Sequence, residues 1–268
     1  MAGQSELGSF VNLSLNDLPD EILMIIFSNV PAKDLVQCCC LVNKSWYKVV
    51  EQQTLWRIKC QKERKYVPAV MPVSDDFKKL YFFNPYARNL IKNPCATEGM
   101  LHWKVTQKGG DQFVVEATPS GSVPLSTIVD ASSNVIGSIK NWATSYSLCE
   151  KYQLVDLLAE GCTEVVLDTW QPPIEVSEWY AGRFDCGCVY HLTVKLLSAT
   201  KKVIKTFETE ERVDQWAGKQ WEQVMHTFKD YGTGVRYVQF THSGKDTQFW
   251  AGHYGPKFTL SSVRFNFT

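Results

Sequence analysis

Between Leu15 and Trp56 the chain reads LNDLPDEILMIIFSNVPAKDLVQCCCLVNKSWYKVVEQQTLW, and this stretch constrains everything around it. Leu18, Ile22, Leu23, Ile26, Phe27 and Val30 recur at helical spacing. Leu18-Pro19-Asp20-Glu21 reads as a helix start, because proline is pre-organised for a first turn and two acids suit the positive end of the helix dipole. Pro31 ends that helix. A second begins near Lys33-Asp34, carries Leu35 and Val36, and is expected to run through Cys38, Cys39 and Cys40 to Leu41 and Val42. A third covers Ser45 to about Gln52, ahead of Leu55-Trp56. Such a short module is too apolar to be a comfortable soluble domain. Its surplus apolar surface is covered either by the chain's own body or by another protein.

The rest of the chain has a different character. Residues 58–87 read as a helical linker: Lys59 to Lys65 as a basic, solvated helix face, Pro68 and Pro72 as breaks, and Asp75 to Phe83 as one more short helix. From Arg88 onward, short aromatic-rich segments take over. Strands are expected at His102–Gln107, Phe113–Ala117, Ser145–Asp156, Ile174–Tyr180, Cys188–Leu197, Val203–Thr209, Trp221–Phe228, Val235–His242 and Ser261–Phe267. Turns are expected at Gly109-Gly110-Asp111, Tyr231-Gly232-Thr233-Gly234 and Ser243-Gly244-Lys245-Asp246. Alternation places Tyr190, Leu192, Val194 and Leu196 on one face. Many short strands with regular turns predict an antiparallel sandwich, and no fixed-period repeat points to a solenoid or propeller. The fold class is therefore α+β, with helices first and the sheets after them.

Composition excludes several roles. Lys+Arg and Asp+Glu are both 28, without the basic excess of a nucleic-acid or anionic-membrane binder. The apolar run Ile22–Phe27 falls far short of the roughly 20 residues of a membrane span. MAGQSELGSF carries neither a positive n-region nor an apolar h-region and departs from the myristoylation pattern, so residues 1–10 are expected to be a disordered start in a cytoplasmic protein. The nine cysteines lack paired zinc spacing and read as reduced, mostly buried thiols. No nucleophile elbow, phosphate loop or HExxH is present, and the scattered His102, His191, His226, His242 and His253 suit structural roles. No metal or cofactor is expected. Asp156, Glu160, Asp168 and Asp185 could in principle supply a glycosidase pair, although nothing in their spacing singles out two of them.

Two aromatic segments carry more information: Trp179-Tyr180-Ala181-Gly182-Arg183-Phe184-Asp185-Cys186-Gly187-Cys188 and Asp246-Thr247-Gln248-Phe249-Trp250-Ala251-Gly252-His253-Tyr254-Gly255. Adjacent Phe249 and Trp250 cannot both face a core if extended, so one is exposed or sits in a loop. An exposed Trp beside Gly and Asp suits a sugar, with the ring on the apolar C–H face and the acid accepting hydroxyl hydrogens. The alternative is an aromatic loop folded onto the end of the sandwich core.

LPDEIL followed by VPAKDLVQCCCLVNKSWYKVVEQQTLW closely resembles an F-box, through Leu18-Pro19, the Ile22/Leu23/Ile26/Phe27 stripe, Val30-Pro31, Leu35, Val42, Ser45-Trp46 and Leu55-Trp56. The resemblance implies docking of residues 11–57 onto the Skp-family adaptor of a cullin–RING ubiquitin ligase, with Leu18, Pro19, Ile22, Leu23, Ile26, Phe27, Val30, Pro31 and Leu35 as anchors in a helix-in-groove interface. Residues 88–268 resemble the F-box-associated domain through Arg88-Asn89-Leu90-Ile91-Lys92-Asn93-Pro94-Cys95, Gly109-Gly110-Asp111, Gln153-Leu154-Val155-Asp156-Leu157, Glu160-Gly161, Leu167-Asp168-Thr169, Gly232 to Tyr237 and Asp246 to Gly255. That resemblance implies a sandwich of about ten strands, jelly-roll or galactose-binding in style. Its end loops would grip the inner N-acetylglucosamine pair of N-linked high-mannose glycans on misfolded glycoproteins. The aromatic wall falls on Tyr146 and Phe249, the stacking ring on Trp250 and the polar acceptor on Asp185. Three positions depart from the family's binders: Ala251 where some carry Lys, Cys162-Thr163 for an aromatic pair, and Leu260 for Asn. The loop Asn that would also contact sugar lies within 119–141. The implied protein is a non-catalytic substrate receptor for ubiquitination and ER-associated degradation. A receptor whose sandwich reads a protein surface is the alternative, and a carbohydrate-active enzyme a third.

Overall fold

The computed structural model describes residues 15, 18–65, 76–128 and 139–266. The stretch 1–10, the proline-bearing segment 66–75, residues 129–138 of the candidate loop in 119–141 and the expected strand end Phe267 lie outside the described residues. The chain divides into two compact units, a helical one up to Phe82 and a second from Phe83 onward.

In the helical unit α1 spans Asp20–Phe27, α2 Ala32–Gln37, α3 Lys44–Glu51, α4 Gln53–Lys62 and α5 Phe77–Phe83. Pro19 and Pro31 sit at the N-caps of α1 and α2, with Asp20 and Glu21 in the first turn of α1. The second helix does not run through the cysteines. Cys38 leaves helical geometry, and Cys39–Leu41 continues as one 3-10 turn. The Asn43 side chain then caps α3 by accepting from the Trp46 N–H at 2.8 Å. The apolar stripe splits by helical phase. Leu23, Phe27 and Leu35 turn inward with Val49, Leu55 and Trp56, each such burial contributing about 1.5–3 kcal/mol. Lys59 corrects the expected solvated basic face: it is buried, donating to the Val30 carbonyl at 2.8 Å and pairing with Glu63 at 3.1 Å. Lys62 reaches Ser28 Oγ and Asn29 Oδ1 at 2.7 and 2.9 Å. Two lysines of α4 thus satisfy polar groups just beyond the C-terminus of α1.

The second unit is a sandwich of two antiparallel five-stranded sheets, β1-β4-β9-β6-β7 and β2-β3-β10-β5-β8. Their spans are β1 Lys104–Lys108, β2 Val114–Glu116, β3 Asn141–Ala143, β4 Cys149–Asp156, β5 Ile174–Ala181, β6 Cys188–Ser198, β7 Val203–Val213, β8 Trp221–Phe228, β9 Val235–Asp246 and β10 Lys257–Phe265. β3 has no counterpart among the expected strands. Its three residues are all buried, so no alternation marks it. The expected turn at Ser243–Asp246 is instead the end of β9. Gly244 pairs with Cys149 and Tyr190, and a Cβ there would lie 2.2 Å from Pro256 Cγ. That glycine permits a close approach and makes no turn. Tyr190, Leu192, Val194 and Leu196 do share the buried face.

A polar cluster lies inside this core. Glu178 Oε1 accepts from His242 Nδ1 at 2.7 Å and from the Ser261 hydroxyl, while Tyr190 donates to Oε2 at 2.5 Å. Lys151, the cross-strand partner of His242, is fully enclosed with its ammonium 3.1 Å from the centroid of Trp142 and 3.8 Å from that of Trp103. Burial, opposed by Glu178 and reinforced by Lys151, pulls His242 from an ordinary 6.5 down to about 4. The unfolded chain therefore binds a proton at this ring that the native chain refuses, and stability falls as pH drops from about 6.5 to about 4. Denaturant midpoints across that window are expected to decline, by up to roughly 3 kcal/mol for this ring, and His242→Gln should flatten the decline.

Candidate functional site

The pairing registers bring five connections to one end of the sandwich: β1–β2, β3–β4, β5–β6, β7–β8 and β9–β10. Tyr146, Asp185, Phe249 and Trp250 all lie on these loops. The β9–β10 loop is folded around the buried Asp246, whose carboxylate accepts the Phe249 N–H at 2.6 Å and the Trp250 N–H at 3.2 Å. This local cap forces Phe249 into the left-handed region at φ 57° and turns both rings outward, Phe249 69% and Trp250 39% exposed. The expectation that one of the two rings leaves the core is exceeded, since both do. Burial raises the Asp246 carboxyl pKa, consistent with a structural rather than sugar-facing acid.

Asp111 and Ser145 tie the neighbouring loops to it. The Gly252 N–H donates to Asp111 Oδ2 at 2.6 Å, and Ser145 Oγ donates to the Gly252 carbonyl at 2.7 Å while accepting from the Asp111 N–H at 2.8 Å. Gly110 at φ 57° lies so close that a Cβ would fall 2.9 Å from the Tyr146 ring, so that ring is backed by main chain. Trp250 meets Tyr254 edge-on at 5.4 Å, and the Arg183 guanidinium covers Tyr254 at 4.4 Å. Arg183 in turn holds Asp185 through two contacts, Nε to Oδ1 at 2.9 Å and Nη2 to Oδ2 at 3.1 Å. The bidentate pair keeps the Asp185 carboxyl below its ordinary range, so the acceptor is ionised and oriented in advance.

The roles of Arg183 and Asp246 are not assigned by sequence reasoning. A short-range signal existed for Asp246, an acid followed at three and four residues by the main-chain N–H groups it caps; Arg183 only showed as a charge two residues before Asp185. The carboxylates weighed as a glycosidase pair are not gathered here. Asp156, Glu160 and Asp168 lie at the opposite end, with Glu160 on Arg88 and Lys92 (2.5 and 2.9 Å) and Asp168 on Arg236 (2.8 Å). Cys162 belongs to that end as well, buried beside Leu157, so its departure from the family pattern does not touch these loops. Leu260 occupies a bulge of β10 at φ 54° and packs on a cluster of Leu125, Ile139, Ala181 and Trp221. Left-handed backbone favours Asn, which gives the family's Asn there a conformational reason. Among the described residues, no group of His, Cys, Asp and Glu is arranged to hold a metal ion, and no helix is long and apolar enough to cross a membrane.

On the helical unit, Pro19, Ile22, Ile26 and Pro31 are exposed and Leu18 and Val30 half-buried, whereas Leu23, Phe27 and Leu35 form the unit's own core. As direct anchors those last three are corrected: they can act on a partner only by holding the outer residues. Ile25, Leu41, Val42 and Tyr47 enlarge the exposed apolar surface.

A helical head with uncovered apolar residues, followed by a sandwich with one aromatic loop end, is the arrangement of an F-box protein carrying an F-box-associated region. The chain belongs to that family: residues 15–62 match the family described as "F-box-like" and residues 81–265 match "F-box associated region". It is similar to F-box only protein 6 of Homo sapiens, 42% identical over 93% of this chain and 83% of the relative. It is also similar to F-box only protein 44 of Homo sapiens (39%, covering 93% and 96%) and F-box only protein 2 of Bos taurus (41%, covering 93% and 83%). Among solved structures, TmCBM61 in complex with beta-1,4-galactotriose is similar in arrangement at 16% identity and a TM-score of 0.40, over 67% of this chain and 100% of that one. No function is taken from so distant a likeness.

Proposed function

We propose that this protein is the substrate-recognition subunit of an SCF-type ubiquitin ligase. It would bind N-linked high-mannose glycoproteins through their inner chitobiose and direct their ubiquitination and ER-associated degradation. The head docks the Skp-family adaptor, and through it the cullin scaffold and RING subunit; the sandwich presents the substrate and performs no chemistry itself. The observation that carries the sugar half is the pair of outward rings, Phe249 and Trp250, on a loop capped by Asp246 and placed beside the Arg183-oriented Asp185. A ring exposed on rigid main chain can lie against a pyranose C–H face, and an ionised acceptor beside it takes the hydroxyl hydrogens. Tyr146, backed by Gly110, supplies the side wall.

Calorimetric titration with chitobiose tests this. Wild type should bind, and Trp250→Ala should lose about tenfold or more in affinity, with the circular-dichroism spectrum unchanged. Ala251 is exposed and offers no side-chain donor, which favours a second reading in which the same loops recognise a protein surface. Wild type that fails to bind chitobiose while still capturing the adaptor would select that reading.

A further inference from the structure

The β5–β6 loop is held from both sides in the same way. On one side Gln248 accepts the Gly187 N–H at 2.8 Å, and the next residue, Phe249, stands out of the surface at φ 57°. On the other, Gln215 donates to the Asp185 carbonyl at 3.0 Å, and the next residue, Trp216, stands out at φ 72°. Trp216 is 70% exposed, and Phe184, 48% exposed, lies beside it with ring centroids 6.5 Å apart. A bulky residue in the left-handed region is strained and persists only where the surroundings impose it. Here they do: a Cβ on Gly187 would lie 2.6 Å from Thr247 Oγ1 and 3.0 Å from the Gln215 nitrogen, so the loop is wedged between its neighbours. Asp185 thus sits between two aromatic platforms, of which the glycan-pair reading uses one.

We propose that Trp216 and Phe184 form a second sugar subsite, which receives outer neutral sugars of the same glycan whose inner pair lies on Trp250; this rests on the glycan reading above. The span supports it. β9, β6 and β7 are successive strands, so the strand ends from which these two loops leave are about two strand spacings, roughly 10 Å, apart. A branched oligosaccharide that extends beyond its inner pair can then touch both platforms. Charge selects the occupant. Arg183 is paired with Asp185, and the two rings are uncharged, a surface that suits the apolar C–H faces of neutral sugars.

The test titrates the full chain with chitobiose, with a free high-mannose oligosaccharide containing it, and with that oligosaccharide on a short asparagine peptide. Wild type should bind the free oligosaccharide about tenfold more tightly than chitobiose. Trp216→Ala should leave chitobiose binding within about twofold and bring the oligosaccharide down to the chitobiose level. Equal binding of the two free sugars by wild type overturns the subsite while leaving the inner-pair reading intact. A loss confined to the peptide-borne glycan assigns Trp216 to peptide instead, and a loss on chitobiose itself merges it with the first pocket; either overturns the proposal. Wild type that binds none of the three removes the glycan reading and the subsite together.

Discussion

Ile22→Asp combined with Ile26→Asp should abolish capture of the Skp-family adaptor while leaving chitobiose binding unchanged. Both isoleucines lie on the exposed side of α1, away from the buried Leu23 and Phe27, so the substitutions place charge on a surface without opening the core. A carboxylate forced into an apolar docking groove loses its water without gaining a partner. Two of them should cost more than 100-fold in affinity, about 3 kcal/mol or more. Pull-down from purified components reads the loss, and the thermal midpoint of the variant confirms that the head still folds. Leu18→Ala with Ile22→Ala, a milder pair, should weaken capture in the same direction. Undiminished capture by the double-Asp variant would remove α1 from the docking face.

The second large effect lies in the core. Glu178→Ala should destabilise the sandwich by about 3–5 kcal/mol, a sizeable part of the 5–15 kcal/mol that holds a typical domain. The carboxylate accepts from His242, Tyr190 and Ser261, and it is the countercharge acting on the enclosed Lys151. Burial already drives the Lys151 pKa well down, and Glu178 is the influence opposing that. Without it, three donors lose their acceptor and the ammonium is left to aromatic faces, chiefly those of Trp142 and Trp103. Glu178→Gln retains an acceptor and should cost less. The ordering Ala below Gln below wild type in urea midpoints, at constant slope, is the expected result.

What was readable in the sequence follows the range of the forces involved. The helices of the head and the outward pair Phe249–Trp250 were legible because periodicity and adjacency are properties of neighbours along the chain. The burial of Lys59 was not, since its partner Val30 lies 29 residues away. β3 was invisible because three residues buried without alternation leave no period to detect. Ser243 to Asp246 misled in the opposite sense: a Gly beside Ser, Lys and Asp has turn composition, yet that glycine is required by Pro256 pressing from the end of the β9–β10 loop. The four residues expected at the sugar site came from resemblance, and the structure places all four on loops of one end. Of the groups that set their orientation, Arg183 and Asp246 act on residues two to four positions away within their own loops, whereas Asp111 reaches Gly252 across 141 residues, which no local pattern encodes.

The buried Asp246 carboxylate has a thermodynamic corollary. Because it fixes the main chain at Phe249 and Trp250 as part of folding, the loop backbone would lose little further freedom on binding the proposed ligand. Association should proceed with small backbone rearrangement, and differences in affinity among ligands should appear chiefly as differences in residence time. In the proposed function Asp246 would therefore act on recognition without touching what is recognised.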